Sequence, residues 1–409
     1  MSAAGLNLRP MRRPLEDTPP FRQEAADWTE APRAPFRLRP TPEAERQGFI
    51  QLLAGTRRCI VPAMPKTPLM IFPAGPLRLR PAEAVVESVG LTGRAASALK
   101  AMTPLFGKAA LRFDGLEVLP DGGRAETRAY RKLVKFARTS GFPFDGVTFA
   151  RHPELALGWP PGETGSALPG PKIAVALHLH YVELWPEIGG LLKRWGRPFT
   201  LLVSLTRQDE AAARAIRADF PSAEIEVVEN RGRDVRPFLV WLESGRLDRF
   251  DLVCKIHGKR SLRDGAPPLF GEMFRRACFL DLISGDDRVG EICAAFAAAP
   301  DLGLVGPERF RARSRHGDAA EIMGQSRATI EALSARMGAP APGADYDVFH
   351  GTMFWARPQA LAALRALGLA REFLPEAGLS DGALEHAVEG LINHAARARG
   401  FRVAGTTAP

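Results

Sequence analysis

Several features that mark large classes of protein are missing from this chain of 409 residues. No stretch approaches the roughly 18 consecutive apolar residues that a membrane-spanning helix needs, and residues 1–20 lack the apolar core of a secretory signal. The four cysteines form no Cys-x-x-Cys pair, which argues against a disulfide framework and a cysteine zinc site. Because 45% of the residues are hydrophobic and 25% are charged, we expect a globular cytoplasmic protein.

Lysine is also scarce, and the positive charge is unevenly distributed. The net charge is +9, with only nine lysines against 46 arginines. Residues 1–170 hold 24 basic and 16 acidic residues, whereas residues 171–409 hold 31 and 30. Neutralisation of phosphates supplies most non-specific nucleic-acid affinity. The near-neutral second part therefore argues against a nucleic-acid partner.

Composition predicts four segments along the chain. Residues 1–45 are rich in Pro and Arg without a hydrophobic period, which predicts a disordered or loosely attached arm. Residues 46–155 mix short apolar runs with helical patterns, which predicts a small irregular α+β domain of unknown role. Residues 156–171 read as a Gly/Pro linker. Residues 172–409 form the main domain.

Residues 126–141 of the small domain predict a basic amphipathic helix. Tyr130 and three further apolar residues are interleaved with five basic ones. Two interpretations stay open. The helix either docks on its own domain with a solvated basic face, or it lies on a membrane surface.

The main domain begins with alternating strands and helices. Apolar runs at 172–181, 198–206, 223–229 and 250–257 are separated by helical stretches. This alternation predicts a mostly parallel, doubly wound α/β sheet with helices on both faces. Such sheets bind ligands at the carboxyl ends of their strands.

Polar side chains cluster where three of these strands end. A single cleft with phosphate-binding cations is the functional interpretation, because an ammonium or an Arg fork binds phosphate well. The alternatives are core histidines bonded to the backbone, a plain turn with Asp234 at a helix N-terminus, and a solvated basic loop. The candidate donor and pocket residues are His178, His180, Tyr181, Asn230, Arg233, Asp234, Lys255, His257 and Lys259.

Two further groups stand in the C-terminal part. Residues 345–364 predict an aromatic strand leading into a helix, interrupted by His350, Gly351 and Thr352. A glycine there lets backbone approach a ligand, such as a sugar or acceptor, or simply forms a bulge. Farther on, Asp381, Glu385 and Glu389 recur at four-residue spacing. Such a row usually faces solvent, although the turn before a helix can aim Asp381 into a cleft as a general base.

Six blocks in this order closely resemble the rhamnan synthesis F family of bacterial surface-polysaccharide assembly. The family's members are regarded as rhamnosyltransferases, and the resemblance covers about residues 171–405. The blocks are HLHYVELWPEI, VENRGRDVRPFL, FDLVCKIHGKRS, LGLVGP, GTMFWARPQAL and DGALEHAVEGL.

The resemblance implies an inverting glycosyltransferase of GT-A-like, Rossmann-type architecture. The expected donor is dTDP-rhamnose or GDP-rhamnose, and the expected acceptor is a lipid-linked glycan or O-antigen. Asp381 is the expected general base, with Glu385 in reserve. The lipid-linked acceptor and the basic N-terminal part together imply peripheral attachment at the inner face of the cytoplasmic membrane.

Enzymes of this architecture commonly place an Asp-x-Asp metal motif after the fourth strand. Here that position reads Lys255-Ile256-His257. Because the departing diphosphate needs either a divalent ion or fixed cations, we predict metal-independent stabilisation by Lys255, His257, Lys259 and Arg233. Asp234 could still hold Mg or Mn, or the ribose.

Three rival functions are considered. A non-catalytic sugar-nucleotide or glycan-binding component would use the same fold without transfer. A nucleic-acid-binding protein conflicts with the charge distribution. A serine hydrolase lacks the GxSxG elbow.

Overall fold

The computed structural model describes most of the chain in ten stretches. They are residues 28–47, 49–55, 57–64, 66–101, 110–113, 116–139, 170–260, 269–313, 318–376 and 381–406. The predicted linker at 156–171 falls almost wholly outside these residues.

Contacts divide the chain into two compact units. Described residues of the first unit lie within 170–258 and 278–406. Those of the second lie within 28–139, 259–260 and 269–277.

The two units together contain eighteen described strands. In chain order they are β1 Thr29–Glu30, β2 Phe36–Pro40, β3 Phe49–Ala54, β4 Arg57–Pro62, β5 Leu69–Pro73, β6 Leu77–Leu79, β7 Ala84–Ser88, β8 Leu111–Phe113, β9 Leu116–Pro120, β10 Ile173–His178, β11 Thr200–Leu205, β12 Glu224–Val227, β13 Leu252–His257, β14 Leu302–Pro307, β15 Arg311–Arg313, β16 Asp347–Phe349, β17 Phe354–Ala356 and β18 Arg402–Thr406.

Most helices belong to the first unit. In chain order they are α1 Pro42–Gln47, α2 Leu91–Ala101, α3 Arg124–Thr139, α4 Trp185–Leu192, α5 Glu210–Asp219, α6 Val235–Glu243, α7 Leu269–Ile283, α8 Asp286–Ala298, α9 Ala320–Met323, α10 Arg327–Arg336, α11 Ala362–Arg365 and α12 Leu384–Ala398. No helix in the described stretches is both long and apolar enough to cross a bilayer.

A seven-stranded, mostly parallel sheet forms the centre of the first unit. Its order is β12-β11-β10-β13-β17-β14-β18. The first four strands are mutually parallel, β17 runs antiparallel to both of its neighbours, and β18 is parallel to β14. The prediction of a mostly parallel α/β sheet is confirmed.

Helices cover both faces of this sheet. Every residue of β10, β13 and β14 is buried, as expected for strands enclosed on two sides. Ala174 and Ala176 pack on one face against a core that includes α6 and α12. On the other face, Trp355 stacks on Trp195 and donates from its indole to the Leu282 carbonyl of α7.

The predicted aromatic strand over 345–364 is two strands in different sheets. β16 pairs with β15 in a two-stranded sheet, whereas β17 enters the large sheet between β13 and β14. The break falls at Gly351 and Thr352, whose φ angles are 91° and 51°. Two successive residues with positive φ interrupt the extended backbone here, and the two strands pair in different sheets.

The second unit contains two antiparallel sheets, in the orders β1-β6-β3-β4 and β7-β2-β5-β9-β8. The prediction of a disordered or loosely attached arm over residues 1–45 is wrong for residues 28–45. β2 lies inside the five-stranded sheet, and its Phe36 and Leu38 side chains are buried. The alternation of apolar and polar residues along β2 covers only five residues and stands among prolines, so it was too short to predict a strand from the sequence. Residues 1–27 lie outside the described residues.

The predicted basic helix is present as α3. Thr127 and Tyr130 are fully buried, and α3 contacts β9 of its own unit. These contacts favour the docked interpretation over the membrane-surface one for its first turns.

Candidate functional site

The central sheet has a topological switch point between β10 and β13. The chain adds β11 and β12 on one side of β10 and then returns to place β13 on the other side. Crevices at such points, outside the carboxyl ends of the strands, are the usual ligand sites of open α/β sheets. The last residues of the two strands, His178 and His257, are direct partners in the register.

Lys255 is buried two residue pairs before this edge. Its ammonium donates to Asp234 Oδ2 at 2.6 Å, to the Thr352 carbonyl at 2.8 Å and to Thr352 Oγ1 at 3.1 Å. An ammonium has three hydrogens, and these bonds use all of them. Direct contact of Lys255 with a diphosphate would require one of the bonds to break.

Asp234 supplies the carboxylate of this switch-point cluster, which consists of Asp234, Lys255, His257 and Thr352. It precedes α6, yet its side chain makes no capping hydrogen bond to that helix. Instead, Oδ2 accepts from Lys255 and from the Thr352 hydroxyl and lies 3.8 Å from His257 Nε2. Oδ1 has no hydrogen-bond partner within the described ranges. The cluster therefore presents one carboxylate oxygen to which none of the described residues donates.

This carboxylate is ionised. Burial by itself would raise the pKa of Asp234, but the neighbouring His257 and Lys255 and the hydrogen bonds from Lys255 and Thr352 lower it below its ordinary range. Opposite charge and donated hydrogen bonds both favour the anion. Asp234 can therefore hold a hydroxyl group or a positive charge, but it is a weak proton acceptor.

The turn at residues 350–352 is fixed by this cluster and by α12. The Gly351 carbonyl accepts from His257 Nε2 at 2.8 Å, so that nitrogen carries the proton. The Gly351 amide donates to Glu389 at 2.7 Å. His350 remains exposed, 3.7 Å from the same carboxylate. These bonds hold Thr352 in its left-handed conformation, which costs a non-glycine residue about 1–3 kcal/mol.

Arg233 forms a second group beside the cluster. Its guanidinium makes two hydrogen bonds to Glu376, at 2.9 and 3.1 Å, and a third contact with His386 Nε2 at 3.2 Å. Glu385 lies 3.8 Å from Arg233 Nε. The predicted cation is thus already paired with carboxylates in this structure.

His178, His180 and Tyr181 occupy the end of β10. His178 Nδ1 shares a 2.9 Å hydrogen bond with Ser204, and His180 Nδ1 shares one of 2.8 Å with Thr206. The Tyr181 ring meets the His180 ring edge to face. Side-chain hydroxyls therefore satisfy one nitrogen of each imidazole, in place of the backbone groups that the structural alternative expected.

Asn230 and Lys259, the remaining candidates, make other contacts. Asn230 accepts at its backbone carbonyl from Glu376, and its side chain is exposed. Lys259 belongs to the second unit, where its ammonium lies 4.8 Å from the Phe274 ring centroid. The roles assigned to both stay predictions.

Asp381 has a structural task. Its carboxylate accepts from the Gln325 amide, the Ser326 hydroxyl and the Gly382 amide, at 2.9, 3.0 and 2.7 Å. Burial raises its pKa, but these three donors outweigh that effect and lower it. Its oxygens anchor the residues before α10, so the general-base role stays a prediction that this geometry does not favour.

Sequence reasoning missed two of the acids that organise the site. Glu389 belonged to a row expected to face solvent, but it binds the Gly351 amide. Glu376 stands in an irregular segment without any periodic signal. Only the antiparallel bridge between Arg231 and Pro375 brings it to Arg233.

No group of three His, Cys, Asp or Glu side chains within the described residues is arranged to hold a metal ion.

Comparison with models of known protein families identifies the family of this chain. A family model described as rhamnan synthesis protein F matches residues 162–401, more than half of the chain. The chain belongs to the rhamnan synthesis protein F family. The resemblance seen in six sequence blocks is confirmed, and the matched region carries six of the seven strands of the large sheet and the switch-point cluster. Members of this family take part in rhamnan, and hence polysaccharide, synthesis.

Two curated relatives are similar to this family member over the same length. Both are named "Uncharacterized protein WxcX", from Xanthomonas campestris pv. campestris strains B100 and ATCC 33913. Each is 33% identical over 237 residues, which is 57% of this chain and 32% of the relative. The chain thus spans about a third of the length of the curated relatives it matches.

Removing His178 is expected to flatten the pH dependence of folding stability in this family member. Burial lowers the pKa of His178 to about 3, whereas the unfolded chain binds that proton near pH 6.5. The unfolded state holds more protons between these values, so stability falls as the pH drops through this window, by up to about 1.4 kcal/mol per pH unit.

Urea unfolding between pH 7 and pH 4 measures this slope. His178→Asn should reduce it, whereas the exposed control Gln359→Asn, which removes no titratable group, should leave it unchanged. Equal slopes in wild type and His178→Asn would contradict the prediction.

Proposed function

We propose that this chain is a glycosyltransferase of surface-polysaccharide assembly that takes its sugar from a nucleoside-diphosphate donor. The observation that carries the proposal is the switch-point cluster, where Asp234, Lys255 and His257 meet at the edge that binds nucleotides in Rossmann-type sheets. The strand order β12-β11-β10-β13 is the 3-2-1-4 order of those sheets, which supports the GT-A-like architecture. Family membership supports dTDP-rhamnose or GDP-rhamnose as donor and a lipid-linked glycan as acceptor.

Asp234 is proposed to contact the transferred sugar. Its open Oδ1 can accept a hydrogen bond from a sugar hydroxyl, and its negative charge stabilises an anomeric carbon that becomes positive in the transition state. Lys255 and Thr352 hold the other oxygen, so the carboxylate is oriented before the substrate arrives.

Glu385 is proposed as the general base of an inverting transfer. It is partly buried beside Arg233, on the first turn of α12. Asp381, the first choice from sequence, uses its oxygens to anchor the residues before α10. A carboxylate that receives fewer hydrogen bonds is freer to take the proton from the attacking hydroxyl group of the glycan.

Arg233 is proposed to bind the donor diphosphate without a divalent metal. Its guanidinium fork is held by Glu376, and a phosphate, which accepts the same two-point geometry, would displace that carboxylate from it. Lys255 supports this arrangement indirectly, because it neutralises Asp234 and limits repulsion of the diphosphate.

Thermal unfolding with nucleotides tests the proposal. A bound nucleoside diphosphate or nucleotide sugar at a hundred times its dissociation constant should stabilise the folded chain by about 2.7 kcal/mol. The shift should persist in EDTA and should shrink in Arg233→Met, while a control at the surface, Arg365→Met, should retain it.

Analysis of the reaction products in the same samples distinguishes a transferase from a protein that only binds the nucleotide. Release of nucleoside diphosphate and glycosylation of a lipid-linked acceptor support the enzyme. Nucleotide binding without transfer or donor hydrolysis would favour the non-catalytic component, and the absence of any nucleotide effect would reject both.

A further inference from the structure

Helix α2 exposes its apolar stripe. Leu91, Ala95 and Leu99 follow one another at four-residue spacing, which places them on one side of a helix. Leu91 is 82% exposed and Leu99 is 68% exposed, and Ala95 is exposed too. Arg94 is half-buried, and its buried Nε has no hydrogen-bond partner within the described stretches. A helix that served only its own core would have the opposite orientation.

The strand before this helix also exposes apolar residues. Val85 and Val86 are 53% and 36% exposed on β7, an edge strand of the five-stranded sheet. Four of the six large hydrophobic residues exposed in the described stretches therefore fall within residues 85–99, here called the 85–99 segment. Single exposed apolar residues are ordinary, but such a concentration marks an interaction surface.

Charge around the segment is predominantly positive, and Glu87, the one acidic residue within it, is paired with Arg39 and Arg37. Residues 28–139 hold 19 basic and 9 acidic residues, although the net charge of the whole chain is only +9. From 88 to 113 the sequence has four basic residues and no acidic one. Exposed leucines on a short helix within a basic region are typical of surfaces that enter the headgroup layer of anionic bilayers.

Other partners fit this surface less well. Residues 84–101 contain no aromatic side chain to stack on nucleic-acid bases. A protein partner would need a larger stripe than two leucines on an 11-residue helix.

We propose that the 85–99 segment attaches this chain to an anionic lipid bilayer, with Leu91 and Leu99 inserted among the acyl chains. Basic residues around the segment attract the anionic headgroups, and the two leucines add the apolar contact. This attachment is independent of the proposed transferase activity.

Vesicle co-flotation of the full chain tests the attachment. Wild type should float with vesicles of phosphatidylcholine and phosphatidylglycerol and much less with phosphatidylcholine alone. The double variant Leu91→Asp/Leu99→Asp should lose about tenfold or more in affinity, because it removes two inserted side chains. Leu374→Asp is the matched control, since Leu374 is 79% exposed in the first unit, and it should bind like wild type.

A second variant and a stability measurement complete the test. Leu99→Trp should bind at least as tightly as wild type and should shift its added fluorescence to the blue with anionic vesicles. Equal binding by wild type and the double variant, or no spectral shift, would overturn the proposal. A lower thermal midpoint in the double variant, but not in Leu374→Asp, would also overturn it, because the stripe would then be covered by protein.

Discussion

Asp234→Asn is expected to reduce sugar transfer by about 100-fold or more, the usual loss when one oriented electrostatic contact to a transition state is removed. Asparagine has nearly the same shape as aspartate but carries no charge. The sugar would lose its anionic partner, and the buried Lys255 would lose the carboxylate that it contacts at 2.6 Å. Steady-state transfer assays with saturating donor measure the effect on turnover.

In Asp234→Asn, a loss of folding stability must be distinguished from a loss of catalytic activity. An unpaired buried charge costs about 3–5 kcal/mol, so Asp234→Asn should also unfold at lower urea. The double variant Asp234→Asn/Lys255→Met removes both charges and should regain part of this stability while remaining inactive. Asp248→Asn is the control, since Asp248 is about half exposed and its pair with Arg365 lies at the surface. Transfer at the wild-type rate by Asp234→Asn would remove Asp234 from the proposed role.

Asp347→Ala is expected to produce a large loss of stability, about 3–5 kcal/mol. The Asp347 carboxylate is buried and bonds to Arg311, to Arg397 at 2.7 Å and to the Asn393 amide at 3.1 Å. The Arg311 side chain is only 8% exposed, so its buried charge would keep only the half-buried Glu308, at 3.2 Å, as an acidic partner. Urea unfolding followed by circular dichroism measures the change.

Asp347→Ala should also disturb the turn at residues 350–352 of the candidate functional site. Asp347 links β16 to α12. His350 directly follows β16, and Glu389, which lies 3.7 Å from His350, belongs to α12. Asp301→Ala is the matched control, because Asp301 is mostly exposed and pairs with Arg402 at the surface, where such pairs contribute about 0–1 kcal/mol. A similar midpoint for both variants would contradict the prediction.

The strand-end rule located the candidate site because it depends on local patterns. Four apolar runs separated by helical stretches predicted four parallel strands, and β10 to β13 lie within those runs. Their polar ends meet because parallel strands present their carboxyl ends on one edge of a sheet. Lys255, His257 and Asp234 could therefore be grouped without coordinates.

The partners of these residues could not be predicted in the same way. Thr352 lies 97 positions after Lys255, and Glu376 lies 143 after Arg233. No periodicity relates residues at such separations. The left-handed turn that brings Thr352 to Lys255 also divides an aromatic run that appeared to be one strand.

The sequence by itself determined the parallel sheet, the strand ends that carry titratable groups and the family, because each depends on residues near one another in the chain. Tertiary structure alone decided how charge is distributed among those groups. Lys255 and Arg233 read as free cations in the sequence, but folding places carboxylates from distant segments beside them. The physical reason is that a buried charge requires a partner, and the partner is chosen by packing rather than by position in the chain.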